Sequence, residues 1–232
     1  MKKFTFNALF CCFFGVALMS CDKTEKVEVN ALSASQGKNF GTDPTSCEII
    51  EFDDYTPAET SKGAVSTVYS QNTPVRVLAQ YRIKDGRYFN RNTALLFNTG
   101  APDSRNQEFR TPSPAAIRPM GQVLTVGRGN SNMTFLYNKG CRIEMDFSAM
   151  GSINLKGLHV LDITEEEADS KLELFDAEGN IIKTMSLPVT GAYGATRLRV
   201  DTPGVVKLRV VFGSESSRSG GGAIDVIEFC RE

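Results

Sequence analysis

Acid–base or nucleophilic chemistry needs a second group within reach of the first, and His159, in "LKGLHVLDI", is the only histidine of the 232 residues. One imidazole with no second candidate supports no Ser-His-Asp or Cys-His arrangement, and a zinc-type site lacks its ligands. His159 reads as a packed or edge residue of a strand. Paired carboxylates can hydrolyse glycosides, but with so many surface acids any pair can be picked, so none is singled out. The run Asp162, Glu165, Glu166, Glu167, Asp169 reads as a solvated loop, with a weak surface cation site as the alternative. Gly220-Gly221-Gly222 lacks a following Lys-Ser/Thr and leads into a strand, so it is a turn and not a phosphate loop. "GRGNSN" at 127–132 is loop chemistry: a plain connection, or amides and the Arg128 guanidinium offered to a sugar. The chain has no Trp and its Phe residues mostly fall on apolar faces. Tyr55, Tyr69, Tyr88, Tyr137 and Tyr193, in or near loops, are the groups on which a sugar could stack. One acid stands apart. Asp225, in "GGGAIDVIEFC", interrupts an apolar strand and by simple alternation shares a face with Ile227 and Phe229. A carboxylate buried alone costs several kcal/mol, so an inward Asp225 needs a cation or hydrogen bonds. Facing solvent or capping a turn is the other reading.

The elements that must position these residues are strands. "CRIEMDF" alternates Cys141, Ile143, Met145 and Phe147 against Arg142, Glu144 and Asp146, a period of two. "KLELF", "TRLRV" and "VKLRVVF" repeat the pattern, while "VRVLAQYRI" and "NTALLFNTG" are β-rich runs bounded by Pro, Gly and Asn. Asp176 to Asn180 carry turn chemistry between two apolar runs and predict a hairpin. No segment of the mature region offers three clean helical turns; "TEEEADSK" comes nearest and lacks an apolar stripe. Ten to twelve strands with closely spaced turns predict an antiparallel two-layer sandwich.

The N-terminal stretch has a different character. Lys2 and Lys3 precede an apolar run from Phe4 to Met19 that is short for a bilayer span, and Ser20 is a small residue before a cysteine. Leu18-Met19-Ser20-Cys21 resembles the lipobox of bacterial lipoproteins, which implies acylation of Cys21 and cleavage before it. An ordinary secretory signal is the alternative. Cleavage takes the formal charge from −1 to −3 by removing two lysines. A mildly acidic chain without a basic cluster argues against nucleic acid or an anionic lipid surface as partner. The organisation expected is a signal peptide at 1–20, acylated Cys21 with a flexible linker to 46, and one β-sandwich domain at 47–232. The linker, rich in Ser, Thr, Asn, Gly and Lys, would reach about 25–30 Å. The location implied is the oxidising cell envelope, lipid-anchored, at the outer membrane on its periplasmic or surface face.

Taken in order, "CEIIEFDD", "NTALLFNTGAPDS", "GQVLTVG", "INLKGLHVLDITEEE", "KLELFDAEGNII" and "GSESSRSGGGAIDVIEF" resemble the jelly-roll domains of exported bacterial proteins. More distantly they resemble the galactose-binding-like sandwiches used as carbohydrate-binding modules. The resemblance implies an all-β jelly roll with its first and last strands side by side. It also implies a structural Ca²⁺ held by Asp53 and Asp225, with Asn98 at the matching middle position. There the family more often has Asp, so local negative charge is lower. Of the six cysteines, Cys11 and Cys12 would leave with the signal and Cys21 would be acylated. With the terminal strands adjacent, Cys47 and Cys230 can form a disulfide and leave Cys141 as a buried thiol, although the three that remain allow three pairings. The function implied is non-catalytic: a binding domain for glycan or envelope protein, acting through loops at one end of the sandwich. A protein-interaction, adhesin or structural subunit of a surface assembly is the alternative, and a hydrolase ranks last.

Overall fold

Alternating apolar residues give strands that must hide one face, and here two sheets hide theirs against each other. The computed structural model describes residues 46–53, 55, 64–83, 86–100, 120–127, 140–191, 194–214 and 220–232. The signal peptide, Cys21, the linker up to residue 45, Arg128, Tyr137 and Tyr193 lie outside the described residues. Among the described residues twelve strands, numbered in chain order, form two antiparallel six-stranded sheets. The first sheet runs β10 (Ala195–Val205), β7 (Ile153–Leu161), β12 (Ala223–Arg231), β5 (Gln122–Val126) and β4 (Ala94–Asn98), and β1 (Cys47–Ile50) also pairs with β12. The second runs β2 (Thr67–Ser70), β3 (Thr73–Tyr81), β6 (Cys141–Asp146), β11 (Lys207–Phe212), β8 (Lys171–Phe175) and β9 (Ile181–Ser186). The architecture is the antiparallel two-layer β-sandwich that the strand pattern predicts, in the jelly-roll class that the resemblance implies.

Between the sheets lies one main core, in which Ile50, Phe52, Ile143, Met145, Phe147, Leu155, Leu208, Ile224, Ile227 and Phe229 are all buried. Phe147 and Phe229 meet across it with ring centroids 5.6 Å apart, a tilted contact that aromatic quadrupoles favour. The Asp176–Asn180 hairpin forms as expected: Asp176 N–H donates to Asn180 O, Asp176 Oδ1 accepts from Asn180 N–H at 2.7 Å, and Gly179 takes φ 83°.

The terminal strands are adjacent. Cys47 pairs in register with Cys230 and the two are joined by a disulfide, while Cys141 is free and buried. Beside the disulfide, Glu48 turns inward and accepts from Arg231 Nε at 2.5 Å and from the Ser70 hydroxyl, tying β1 and β12 to the second sheet. A crosslink spanning 183 residues restricts the unfolded chain by about 5 kcal/mol in the chain-entropy model.

One expectation fails at β12. Its neighbour on one side changes partway along: Ala223 and Ile224 pair with β5, whereas Ile227 onward pairs with β1. At the changeover Val226 adopts φ 48° and the register with β7 shifts between Asp225 and Glu228. The extra residue of this bulge reverses the alternation. Ile224, Ile227 and Phe229 therefore all enter the core, and Asp225 does not share their face. It projects from the outer side of the first sheet with Ala223, which packs in a separate cluster with Phe97, Val123 and Leu161.

Candidate functional site

Two places concentrate polar groups, and they lie on the outer faces of opposite sheets. The first is the notch where β5 ends and β1 begins along β12. Asp225 is 3% exposed there, and its buried Oδ1 has no hydrogen-bond partner among the described residues. Burial pushes its carboxyl up to about 8; the Val226 N–H pulls the other way, and the charges of Asp53 and Glu51 push it further up. Asp53 is anchored by Gln122 N–H, which donates to its Oδ1 at 2.6 Å. A Cβ on Gly121, which sits at φ 72°, would collide with that carboxylate, so glycine is what admits it. Asp53, Glu51 and Asp225 thus share one electrostatic neighbourhood. Asn98 stands opposite Gln122 in register. It lies exposed at the end of β4, and its Oδ1 accepts from Gly100 N–H at 2.9 Å. Opposite Asp225 in register is His159, half-buried, with its Nδ1 also lacking a partner among the described residues and its pKa lowered by burial. Among the described residues no group of three His, Cys, Asp or Glu forms a ready metal cage.

The second place is the outer face of the second sheet. Inward residues of β6, β11 and β8 fill the core, so Arg142 and Glu144, Lys207 and Arg209, and Lys171, Glu173 and Phe175 must all point outward. Register brings them together: Arg209 lies opposite Glu144 on β6 and opposite Glu173 on β8. Its Nε donates to Glu144 Oε1 at 2.8 Å and its Nη1 to Glu173 Oε2 at 3.2 Å. Arg142 donates from Nε and Nη2 to Gln80 Oε1, at 3.0 and 2.6 Å. Two aromatic rings flank this row. Tyr88 carries Arg142 at 4.2 Å and Arg82 at 4.8 Å from its ring centre; Phe175 carries Lys207 at 4.4 Å and Arg209 at 4.7 Å. Burial pushes the Glu173 carboxyl up, but the hydrogen bonds and charges of Lys171 and Arg209 outweigh it and hold the group below the usual range.

Of the residues singled out by sequence, Tyr88 belongs to this second face. Tyr55 instead packs against the core, its hydroxyl accepting from Tyr69 N–H at 2.6 Å. Tyr69 is exposed on β2. The acidic run is no solvated loop throughout. Glu167 is buried, its Oε1 accepting from Gly221 N–H at 2.7 Å and its Oε2 from Thr164 N–H at 2.9 Å. Thr164-x-x-Glu167 is a capping box on a single 3-10 turn, and its signature was there to be read. The glycine run does more than turn: a Cβ at Gly220 would strike the Gly140 backbone and one at Gly222 the Phe212 ring. Sequence reasoning missed Arg142, Glu144, Glu173, Arg209 and Phe175 as a group. Each showed as an outward residue of an alternating strand, but the order β6–β11–β8 that makes them neighbours is not sequential.

No protein-family model matches the chain, and no curated protein does. Among solved structures, a fucose-binding module of Streptococcus pneumoniae is similar over 65% of this chain and 89% of its own, at 12% identity and a TM-score of 0.36. TmCBM61, solved with β-1,4-galactotriose, covers 71% of this chain and 98% of its own, at 12% identity and a TM-score of 0.37. The C-terminal family 22 carbohydrate-binding module of Clostridium thermocellum Xyn10B covers 72% and 94%, at 13% identity and a TM-score of 0.30. These neighbours are carbohydrate-binding modules. At such scores no residue or ligand carries over from them to this chain.

Proposed function

We propose that the domain is a non-catalytic glycan-binding module whose binding surface is the outer face of the second sheet. The observation that carries this reading is the row of Gln80, Arg142, Glu144, Arg209 and Glu173, donors and acceptors interleaved between two aromatic rings. Sugars present hydroxyls that both donate and accept, and such a row can meet both demands at once. Binding suits the carboxylates better than hydrolysis does. A general acid must be held protonated near neutral pH, whereas Glu173 is held below the ordinary carboxylate range and is paired with Arg209 and Lys171. A glycan array with the mature chain should give hits that weaken when Arg209 is replaced by Met. An array without hits would remove the reading.

The same proposal places the domain at the cell envelope, anchored by acyl groups on Cys21, at the outer membrane. Mass spectrometry of the mature N-terminus should find an acylated Cys21; an unmodified chain cut elsewhere would exclude the anchor. A structural Ca²⁺ at the notch is part of it too. Asp225 and Asp53 would supply charged oxygens and backbone carbonyls the rest, and the unpartnered Asp225 Oδ1 is what favours a cation there. Chelation should then lower the midpoint of thermal unfolding, and an unmoved midpoint would exclude the ion.

A second reading has its own observation. β9 forms an edge of the second sheet, and Ile181, Ile182 and Val189 are 53%, 41% and 46% exposed on or beside it. An open edge with exposed aliphatics suits strand addition by a protein partner. Crosslinking from β9 in intact envelopes that captured a protein, with a silent glycan array, would favour this adhesin or assembly role.

A further inference from the structure

The rings on the second sheet are not bare platforms. Each already carries two cations, Arg82 and Arg142 on Tyr88, Lys207 and Arg209 on Phe175. A pyranose that stacked on either ring would compete with guanidinium or ammonium groups already there. The rings therefore hold cations in place instead of offering a face to sugar. Those cations have donors to spare. Arg142 spends Nε and Nη2 on Gln80, and Arg209 spends Nε and Nη1 on the two glutamates. Nη1 of Arg142, Nη2 of Arg209 and the Lys207 ammonium make no hydrogen bond or ion pair among the described residues. Both arginine side chains are 23% exposed, open enough to meet a ligand. The charge count agrees. On the three central strands Arg142, Lys171, Lys207 and Arg209 outnumber Glu144, Asp146 and Glu173, and Arg76 and Arg82 of the neighbouring segment add two more cations. This surplus sits on a chain whose formal charge is −1.

We infer that this face takes an anionic polysaccharide whose sugars carry carboxylates, that is, a uronic-acid polymer. The inference rests on the glycan-binding reading and narrows its ligand class. A guanidinium held by a ring, with one nitrogen left over, meets a carboxylate through a charge-assisted hydrogen bond with little loss of freedom. The interleaved Glu144 and Glu173 discriminate between polyanions. They would repel a phosphodiester polymer that has few hydroxyls to offer them, but they accept from the hydroxyls that lie between the carboxylates of a uronan.

Titration of the mature chain with polygalacturonate and alginate, with the same polymers after reduction of their carboxyls, and with single-stranded DNA tests this. The acidic polymers should bind, carboxyl reduction should weaken binding at least tenfold, and Lys207→Ala should weaken binding of the acidic form alone. The variant keeps the fold if its thermal midpoint matches the parent. Equal binding of reduced and acidic polymers, or DNA bound as well as either, overturns the inference while glycan binding stands in the first case. Binding of no polysaccharide, acidic or neutral, removes the glycan-binding reading along with it.

Discussion

The outer faces of the two sheets began with the same backbone and ended with opposite chemistry. On the first sheet Asp225 lies under cover beside the buried apolar cluster of Val123, Leu161, Ala223 and Phe97, and its carboxyl is pushed to about 8. On the second, the charged outward residues of three adjacent strands are partly open and paired with one another, with donors left over. An acid alone under cover becomes a liability that a proton or a cation must relieve. Acids spaced between arginines become a surface with a defined pattern of donors and acceptors. Context, more than residue type, separates the closed notch from the open row.

The contrast can be broken most severely at the staple beside the notch. Replacing Cys47 and Cys230 together by Ser should cost about 5 kcal/mol in denaturant unfolding. Polysaccharide binding measured well below the new midpoint should persist, because the second sheet does not use the disulfide. Next in size is Asp225. Its pKa rises on folding from 3.8 to about 8, so the folded state holds the proton more tightly and stability declines as pH climbs through that interval. In chelator, Asp225→Asn should therefore be more stable than the parent by a few kcal/mol at pH 8, from about 1.4 kcal/mol per pKa unit, and by little at pH 4. With a bound cation the sign reverses at pH 8, and urea titrations with and without calcium separate the two. On the open face, Arg209→Met takes one partner from each of Glu144 and Glu173, which keep Arg142 and Lys171, and should cost about 1–3 kcal/mol by the same titration. The smallest change belongs to Arg76→Ala. Arg76 is 71% exposed opposite Asp146, and its loss should shift stability by less than about 1 kcal/mol.

How far the sequence discloses this molecule follows from the range of its signals. Alternation in "CRIEMD" and "KLELF" told which residues face out, because a pleat is a local property. It misplaced Asp225, because nothing in "AIDVIEF" announces that a β-branched residue, Val226, will take a positive φ. That conformation is imposed where β12 exchanges β5 for β1, an event of tertiary pairing. The open row was hidden for a related reason. Its members lie on β6, β8 and β11, and only the sheet order sets Arg209 between two glutamates. The adjacency of the terminal strands came from the family likeness, and the structure places Cys47 opposite Cys230.

The bond between those two cysteines also decides how the domain meets mechanical load. A pull on the chain upstream of residue 46 would ordinarily peel β1, a four-residue strand, away one ladder rung at a time. With its first residue covalently fixed to β12, tension passes instead into a nine-residue strand flanked on both sides by partners. Rupture then demands that many hydrogen bonds fail together in shear. Under stretching, the oxidised domain should hold as a rigid bead where the reduced one unravels from its first strand.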